Sequence, residues 1–216
     1  RILRYLKGTR DLGLVYTREN ETKFREAYSA SGGSDLDDCI TFCDWDWWAD
    51  TTTMKSTSGI CVYFRGVAIL WSTRKQTIVA TSTAAAEYCA IHDAIELTKG
   101  HGFLAALIPG SFDLPRIYND NQSALWISKQ EIPNRKSRHL MIRMANVQQY
   151  ADRLHFICSG LNLADMLTKA NMTKLKMNQL FEPGEYAVEY LKNNPPQSEE
   201  INLIQYELEE STALMH

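Results

Sequence analysis

Residues 39–50 read CITFCDWDWWAD, and how that run is taken decides the fold. Read as a strand, CITFCD places Ile40, Phe42 and Asp44 on one face by its period of two, so that an acid closes an apolar row. Asp44, Asp46 and Asp50 stand among three tryptophans, in surroundings where an unpaired charge costs several kcal/mol or more. Two explanations are open. The aspartates begin a turn beside core tryptophans, or they hold something cationic.

Outward from this strand the chain alternates. STSGICVYF and AILWSTRKQTIVA, joined at Arg65 and Gly66, read as an antiparallel hairpin. A long helix follows from about Ser82 to Leu107, then a strand RIYND running into a helix at NQSALWIS. The basic stretch NRKSRHLMIRMANVQQYA reads as a helix, DRLHFICS as a strand, and a last helix begins near Ala164. On the N-terminal side RILRYLKGT has helical character and LGLVYTR is a candidate first strand. Three strands, then helix, strand, helix, strand, helix, predict an α/β domain with a mixed sheet and helices on its faces.

Composition limits what such a domain does. With 216 residues, 44% of them hydrophobic and 23% charged, the chain has enough material for one well-buried domain plus appendages. No apolar run approaches the roughly 20 residues of a membrane span, so no membrane partner is expected. The five cysteines are scattered without CxxC or zinc spacing, which argues for reduced, buried thiols and an intracellular setting. The net charge of −3 conceals a division: after residue 180 eight Glu face a single Lys192, whereas residues 1–180 hold 22 basic and 18 acidic residues. The break lies near KNNPPQSEE, which reads as a linker.

Three further acids stand at element ends. Glu87 heads an apolar stripe, Ala90, Ile91, Ala94 and Ile95, at helical spacing; it either snorkels out and favours the helix dipole or is buried toward a cation. Asp120 ends RIYND, where it is open to reading as a helix N-cap. Asp165 lies in the first turn of the last helix and is open to reading as a dipole partner. Strand ends and helix starts can converge on one rim, so four acids so placed are candidates for one site.

FCDWDWWADTTTMKSTSGICVYF, ILWSTRKQTIVATSTAAAEYCAI, IYNDNQSA and NLADMLTKA, in that order, resemble the ribonuclease H domain of copia-type LTR retrotransposon Pol polyproteins. The lead-in RILRYLKGTRDLGLVY resembles the segment that joins reverse transcriptase to that domain. The resemblance implies a ribonuclease H-like fold with a mixed five-stranded sheet. It divides the chain into 1–30, a reverse transcriptase connector; 31–172, the ribonuclease H-like domain; and 173–216, an acidic C-terminal extension.

By that resemblance Asp44, Glu87, Asp120 and Asp165 are the catalytic, metal-holding acids. Two Mg2+ ions, for which Mn2+ can substitute, stabilise the attacking and leaving oxygens of a phosphodiester while activating water, and Mg2+ is served by carboxylates without His or Cys. The implied activity is endonucleolytic hydrolysis of the RNA strand of RNA/DNA hybrids during reverse transcription. The implied partners are the hybrid and the reverse transcriptase domain of the same polyprotein, in a cytoplasmic virus-like particle or the nucleus. Nucleic-acid contacts are expected at Asn121, Gln122, Lys55, Arg74 and Lys75, and at the basic cluster Arg135, Lys136, Arg138, His139 and Arg143; taken as bare charge, that cluster is a solvated face. Trp47 matches a family position but reads as core.

The chain also departs from the family pattern. Ala85 stands where a second glutamate is usual, Met141 and Ala145 where an Asp and a His are usual, and Trp48 where a small residue follows. These departures keep open a catalytically decayed hybrid-binding or scaffolding remnant. An integrase-type domain acting on DNA ends is a further alternative, opposed by the position of Asp165 within the dipeptide AD.

Overall fold

The computed structural model describes residues 2–11, 13–29, 38–46, 55–76, 83–100, 115–129, 138–169, 179 and 181–195. Its centre is a mixed sheet of five strands: β1 Cys39–Asp46, β2 Thr57–Phe64, β3 Val67–Lys75, β4 Arg116–Asn119 and β5 Leu154–Phe156, in the order β3-β2-β1-β4-β5. The first three run as an antiparallel meander, and β1, β4 and β5 pair in parallel. This is the mixed five-stranded, helix-flanked sheet that the sequence led us to expect.

Local chemistry explains the meander. Arg65 (φ 46°) and Gly66 (φ 81°) both take positive φ at the β2–β3 turn, as a two-residue turn matched to the right-handed twist of its strands requires. The β2–β3 register then shifts once, between Val62 and Tyr63, a bulge that bends the edge strand.

The pleat splits β1 between two cores. On one face Ile40 and Phe42 join Tyr63, Tyr118, Leu161 and Leu163 with Phe24, Ala27 and Tyr28. On the other, Cys43 and Ile60 pack against Ile91, Ala94 and Ile95. The latter come from α3, Thr83–Gly100, whose buried stripe follows the 3.6-residue period. Helices α4, Gln122–Ser128, and α5, Arg138–Gln148, complete that layer through Leu125 and Val147. The opposite layer holds α2, Arg18–Ser29, the single turn α6, Asp165–Thr168, and α7, Pro183–Asn193, while α1, Ile2–Gly8, precedes them. No helix among the described residues is long and apolar enough to cross a membrane.

Several expectations change. Of LGLVYTR, residues 13–17 form no strand. Val15 and Tyr16 are exposed, and Thr17 Oγ1 accepts from the Asn20 amide at 3.2 Å, which caps α2 and turns the chain into a helix. The helix expected from Ser82 to Leu107 is described only to Gly100. The last helix expected near Ala164 is one turn, and a longer one, α7, stands in what was read as tail; it ends at Asn193, where the linker was placed.

The boundaries at residues 31 and 172 do not coincide with the limits of the packed core. Phe24 and Tyr28 of α2 and Ala187 of α7 are all buried in it, and Gly184 lies so close to α2 that a Cβ there would stand 2.5 Å from the Phe24 amide nitrogen. The physical reason is the open face of the sheet. Ile40, Phe42, Tyr63 and Tyr118 present a broad apolar surface that a one-turn α6 cannot cover, so α2 and α7 do.

Candidate functional site

The ends of β1 and β4 are adjacent because the two strands are parallel. The register pairs Phe42 with Tyr118, and two residues further on each strand stand Asp44 and Asp120. Glu87 comes from the buried stripe of α3 on the opposite face. Carboxylate oxygens of Asp44, Glu87 and Asp120 all lie within 4.8 Å of one another. Asp44 and Glu87 are each only 4% exposed, so their charges have little water to offset them.

Glu87 is held by donors. Asn119 Nδ2 donates to its Oε2 at 2.9 Å and to the Cys43 carbonyl at 3.2 Å, while Asn119 Oδ1 accepts the Asn121 amide at 3.0 Å. The Trp45 indole also donates to Glu87. Burial nevertheless pushes the Glu87 carboxyl up to about 8, with Asp120 and Asp44 adding repulsion against those hydrogen bonds. Burial likewise raises Asp44 to about 7, with Asp120 and Asp165 raising it further and the Thr168 hydroxyl and Lys169 opposing.

Asp44 sits opposite Gly59 in the β1–β2 register, and that glycine admits α6. A Cβ on Gly59 would stand 2.8 Å from Thr168 Cγ2, 2.9 Å from Leu167 Cβ and 3.0 Å from the Ala164 carbonyl. Through this gap the Thr168 hydroxyl reaches Asp44 Oδ2, and it lies 3.0 Å from the Asp165 carbonyl. Asp165 is buried, and its carboxylate takes the ammonium of Lys169, one turn along. It is not one of the three acids within 4.8 Å, but it bears on Asp44 electrostatically.

The turn before Asp165 is braced from several sides. Asn162 Nδ2 donates to the Cys43 carbonyl at 3.0 Å and Asn162 Oδ1 accepts the Ala164 amide at 3.1 Å. Tyr28 of α2 donates to the Leu161 carbonyl at 3.2 Å, and Tyr186 of α7 to the Gly160 carbonyl at 3.1 Å.

Two of the alternative uses of the acids are excluded. The cap of α4 is Asn121, whose Oδ1 accepts the Ala124 amide at 3.0 Å, so Asp120 is not its N-cap. Glu87 does not snorkel out. Asp165 does stand in the first turn of a helix, but that helix is a single turn and the acid points to Lys169.

The expected nucleic-acid contacts are spread more widely. The registers place Trp45 beside Ser58 and Arg74, and Asp46 beside Thr57 and Lys75. Arg74 and Lys75 are therefore exposed at the acid-bearing end of the sheet, roughly 10 Å from β1 at two strand spacings. Lys55, half-buried, precedes β2 at the same end. Asn121 spends its oxygen on the cap, and Gln122 is exposed beside it. Arg143 is half-buried and hydrogen-bonded to the buried Cys89 thiol of α3. Arg135, Lys136, Trp47 and Trp48 lie outside the described residues, and for Arg138 and His139 only the helical backbone is described.

Sequence reasoning passed over Asn119, Trp45, Thr168, Lys169 and Gly59. Asn119 and Lys169 carried a signal, since each is a polar residue next to or one turn from a chosen acid. Gly59 carried none beyond being a glycine inside a strand.

The donor set suits a hard cation: carboxylates only, with Asp44 and Glu87 buried, Asp120 half-buried, and burial followed by mutual repulsion raising the Asp44 and Glu87 carboxyls. The chain is 31% identical over 174 residues to the retrovirus-related Pol polyprotein from transposon RE2 of Arabidopsis thaliana, a match spanning 78% of this chain and 11% of that polyprotein. It is 31% identical over 173 residues to the Pol polyprotein from transposon TNT 1-94 of Nicotiana tabacum, spanning 78% of this chain and 12% of the relative. The chain thus corresponds to roughly a ninth of the curated relatives' length. No family model matches. Among solved structures, the N-terminal ribonuclease H domain of a Mycobacterium tuberculosis protein, fused to maltose-binding protein, aligns at a TM-score of 0.42 and 12% identity, covering 69% of this chain and 97% of that one.

Proposed function

The homologues of this chain are copia-type retrotransposon Pol polyproteins, and on that premise we propose that it is their ribonuclease H-like segment, a metal-dependent endonuclease that hydrolyses the RNA strand of RNA/DNA hybrids. The observation that carries this reading is the convergence of Asp44, Glu87 and Asp120 within 4.8 Å at the ends of β1, α3 and β4.

In this reading Asp44, Glu87, Asp120 and Asp165 are the residues that hold Mg2+, or Mn2+ in its place. When bound, the ions supply charge stabilisation at the attacking and leaving oxygens and activation of the water. The chain's own residues do the positioning. Asn119 and Trp45 orient the Glu87 carboxylate, Thr168 orients that of Asp44, and the braced turn 158–164 sets the depth of Asp165. Arg74, Lys75 and Lys55 supply phosphate contacts at the same end of the sheet, Asn121 and Gln122 do so beside Asp120, and Arg135, Lys136, Arg138, His139 and Arg143 are further phosphate contacts in this reading. Selection of RNA follows from contact with its 2′-hydroxyl. The working partner is the reverse transcriptase domain of the same polyprotein, in a cytoplasmic virus-like particle or the nucleus, and the catalytic unit runs from α2 to α7.

Cleavage of a labelled RNA/DNA hybrid by the 216-residue chain in Mg2+, beside DNA/DNA and RNA/RNA duplexes and an EDTA control, tests this. The expected result is RNA-strand cleavage of the hybrid alone, removed by Asp44→Asn, Glu87→Gln, Asp120→Asn or Asp165→Asn. Cleavage of DNA/DNA, indifference to Mg2+, or an acid variant at the parent rate would overturn it. The departures at Ala85, Met141 and Ala145 favour a second reading, a hybrid-binding remnant that has lost turnover. It predicts salt-dependent hybrid binding with no cleavage in any divalent metal.

A further inference from the structure

We propose that Lys169 is a resident counter-ion of the acid cluster, whose ammonium occupies the Asp165 side of the site and must be displaced from that carboxylate when a divalent cation enters. The inference rests on reading the cluster as a metal centre and adds a competitor built into the chain.

Geometry supports it. Lys169 follows Thr168 directly, and the two side chains divide the acids between them: Thr168 takes Asp44 and Lys169 takes Asp165. Asp165 is nearly closed to solvent, with 4% side-chain exposure, whereas Lys169 is half exposed at 50%. One end of the pair is fixed and the other is free to leave. The ammonium also feels Asp44 and Asp120. Lys169 contacts Asp165 alone, so one monovalent ammonium does not neutralise the neighbouring carboxylates that converge within 4.8 Å. A divalent ion that takes the Asp165 oxygen now held by Lys169 must displace the ammonium from it. Lysine suits the exchange because its ammonium is a compact point charge on a flexible stem, whereas an arginine fork would lock onto the carboxylate.

Substrate-free Mn2+ binding by calorimetry, with the thermal midpoint in EDTA as a second readout, tests this on the full chain. Lys169→Met keeps most of the stem and removes the charge. It is expected to bind Mn2+ roughly tenfold tighter or more, since one positive charge at contact distance is lost, and to melt at a lower temperature in EDTA. The midpoint difference should vanish at saturating Mn2+. Lys169→Arg should bind Mn2+ no tighter than the parent. In the double variant Asp165→Asn/Lys169→Met the gain should disappear. Unchanged or weaker Mn2+ binding by Lys169→Met, or a gain that survives Asp165→Asn, overturns the proposal. Neither readout involves hydrolysis, so an inactive chain that shows the gain keeps this inference while losing the enzymatic reading, and an active chain without the gain does the reverse.

Discussion

Raising the pH of the metal-free protein is expected to cost it a large part of its stability, because two buried carboxyls are pushed far above their ordinary values. Asp44 moves from 3.8 to about 7 and Glu87 from 4.5 to about 8. Both shifts are upward, so the folded state holds these protons more tightly than the unfolded chain. The stability they contribute is complete below about pH 4 and is lost as pH rises through 7 and 8. Each pKa unit corresponds to about 1.4 kcal/mol. Part of the repulsion is shared by the two groups and is counted only once, which leaves a loss on the order of 4 kcal/mol between pH 5 and 8.5. That is large against a typical total of about 5–15 kcal/mol. Urea unfolding at pH 5, 6, 7, 8 and 8.5 in EDTA measures it, in a window below the ionisation of the buried thiols Cys43 and Cys61, which burial raises well above 9.0. Asp44→Asn should flatten the profile by removing one titrating group and relieving the other, and saturating Mg2+ should flatten it in the parent. Stability that stays level from pH 5 to 8.5 in EDTA, or the same slope in Asp44→Asn, would refute the electrostatic account of the site.

Two further outcomes concern packing. Gly59→Ala should destabilise by about 1–3 kcal/mol, the usual cost of overpacking, because the added methyl meets the Ala164 carbonyl as well as Thr168 and Leu167; hybrid cleavage should fall further than stability, since α6 carries Thr168 and Asp165, and a neutral effect on both would disprove the close approach. Truncation after residue 195 should leave urea stability near that of the full chain. Truncation after 180 should lower the midpoint sharply, as it uncovers Phe24 and removes Ala187 and the Tyr186 bond to Gly160; Gly184→Ala, which forces α7 against the Phe24 backbone, should act in the same direction by about 1–3 kcal/mol, and equal stability of the two truncations would show that α7 is dispensable.

Residue order by itself determined the alternation of elements and the acids worth choosing. Period two in CITFCD and period 3.6 from Glu87 to Ile95 are properties of neighbouring residues, and a carboxylate interrupting either pattern is visible without coordinates. Asp44 and Glu87 therefore stand out in the sequence, as does Asp120 by its place at the end of RIYND, while their meeting belongs to the fold. The α4 cap was nearly legible too, but Asp120 and Asn121 are both good caps and only the geometry chose between them. Tertiary structure alone decided the rest. The path of α2 and α7 onto one sheet face depends on how much apolar surface Phe42, Tyr63 and Tyr118 leave uncovered, which is a shape and not a periodicity. Gly59 matters because α6, more than a hundred residues later, passes over it. Lys169 reaches Asp165 by ordinary i,i+4 spacing, yet its bearing on Asp44 and Asp120 exists only once strand ends far apart in the chain are brought to one rim. Contacts over such separations are set by packing complementarity, and that is written in the assembled surface rather than in any local stretch of residues.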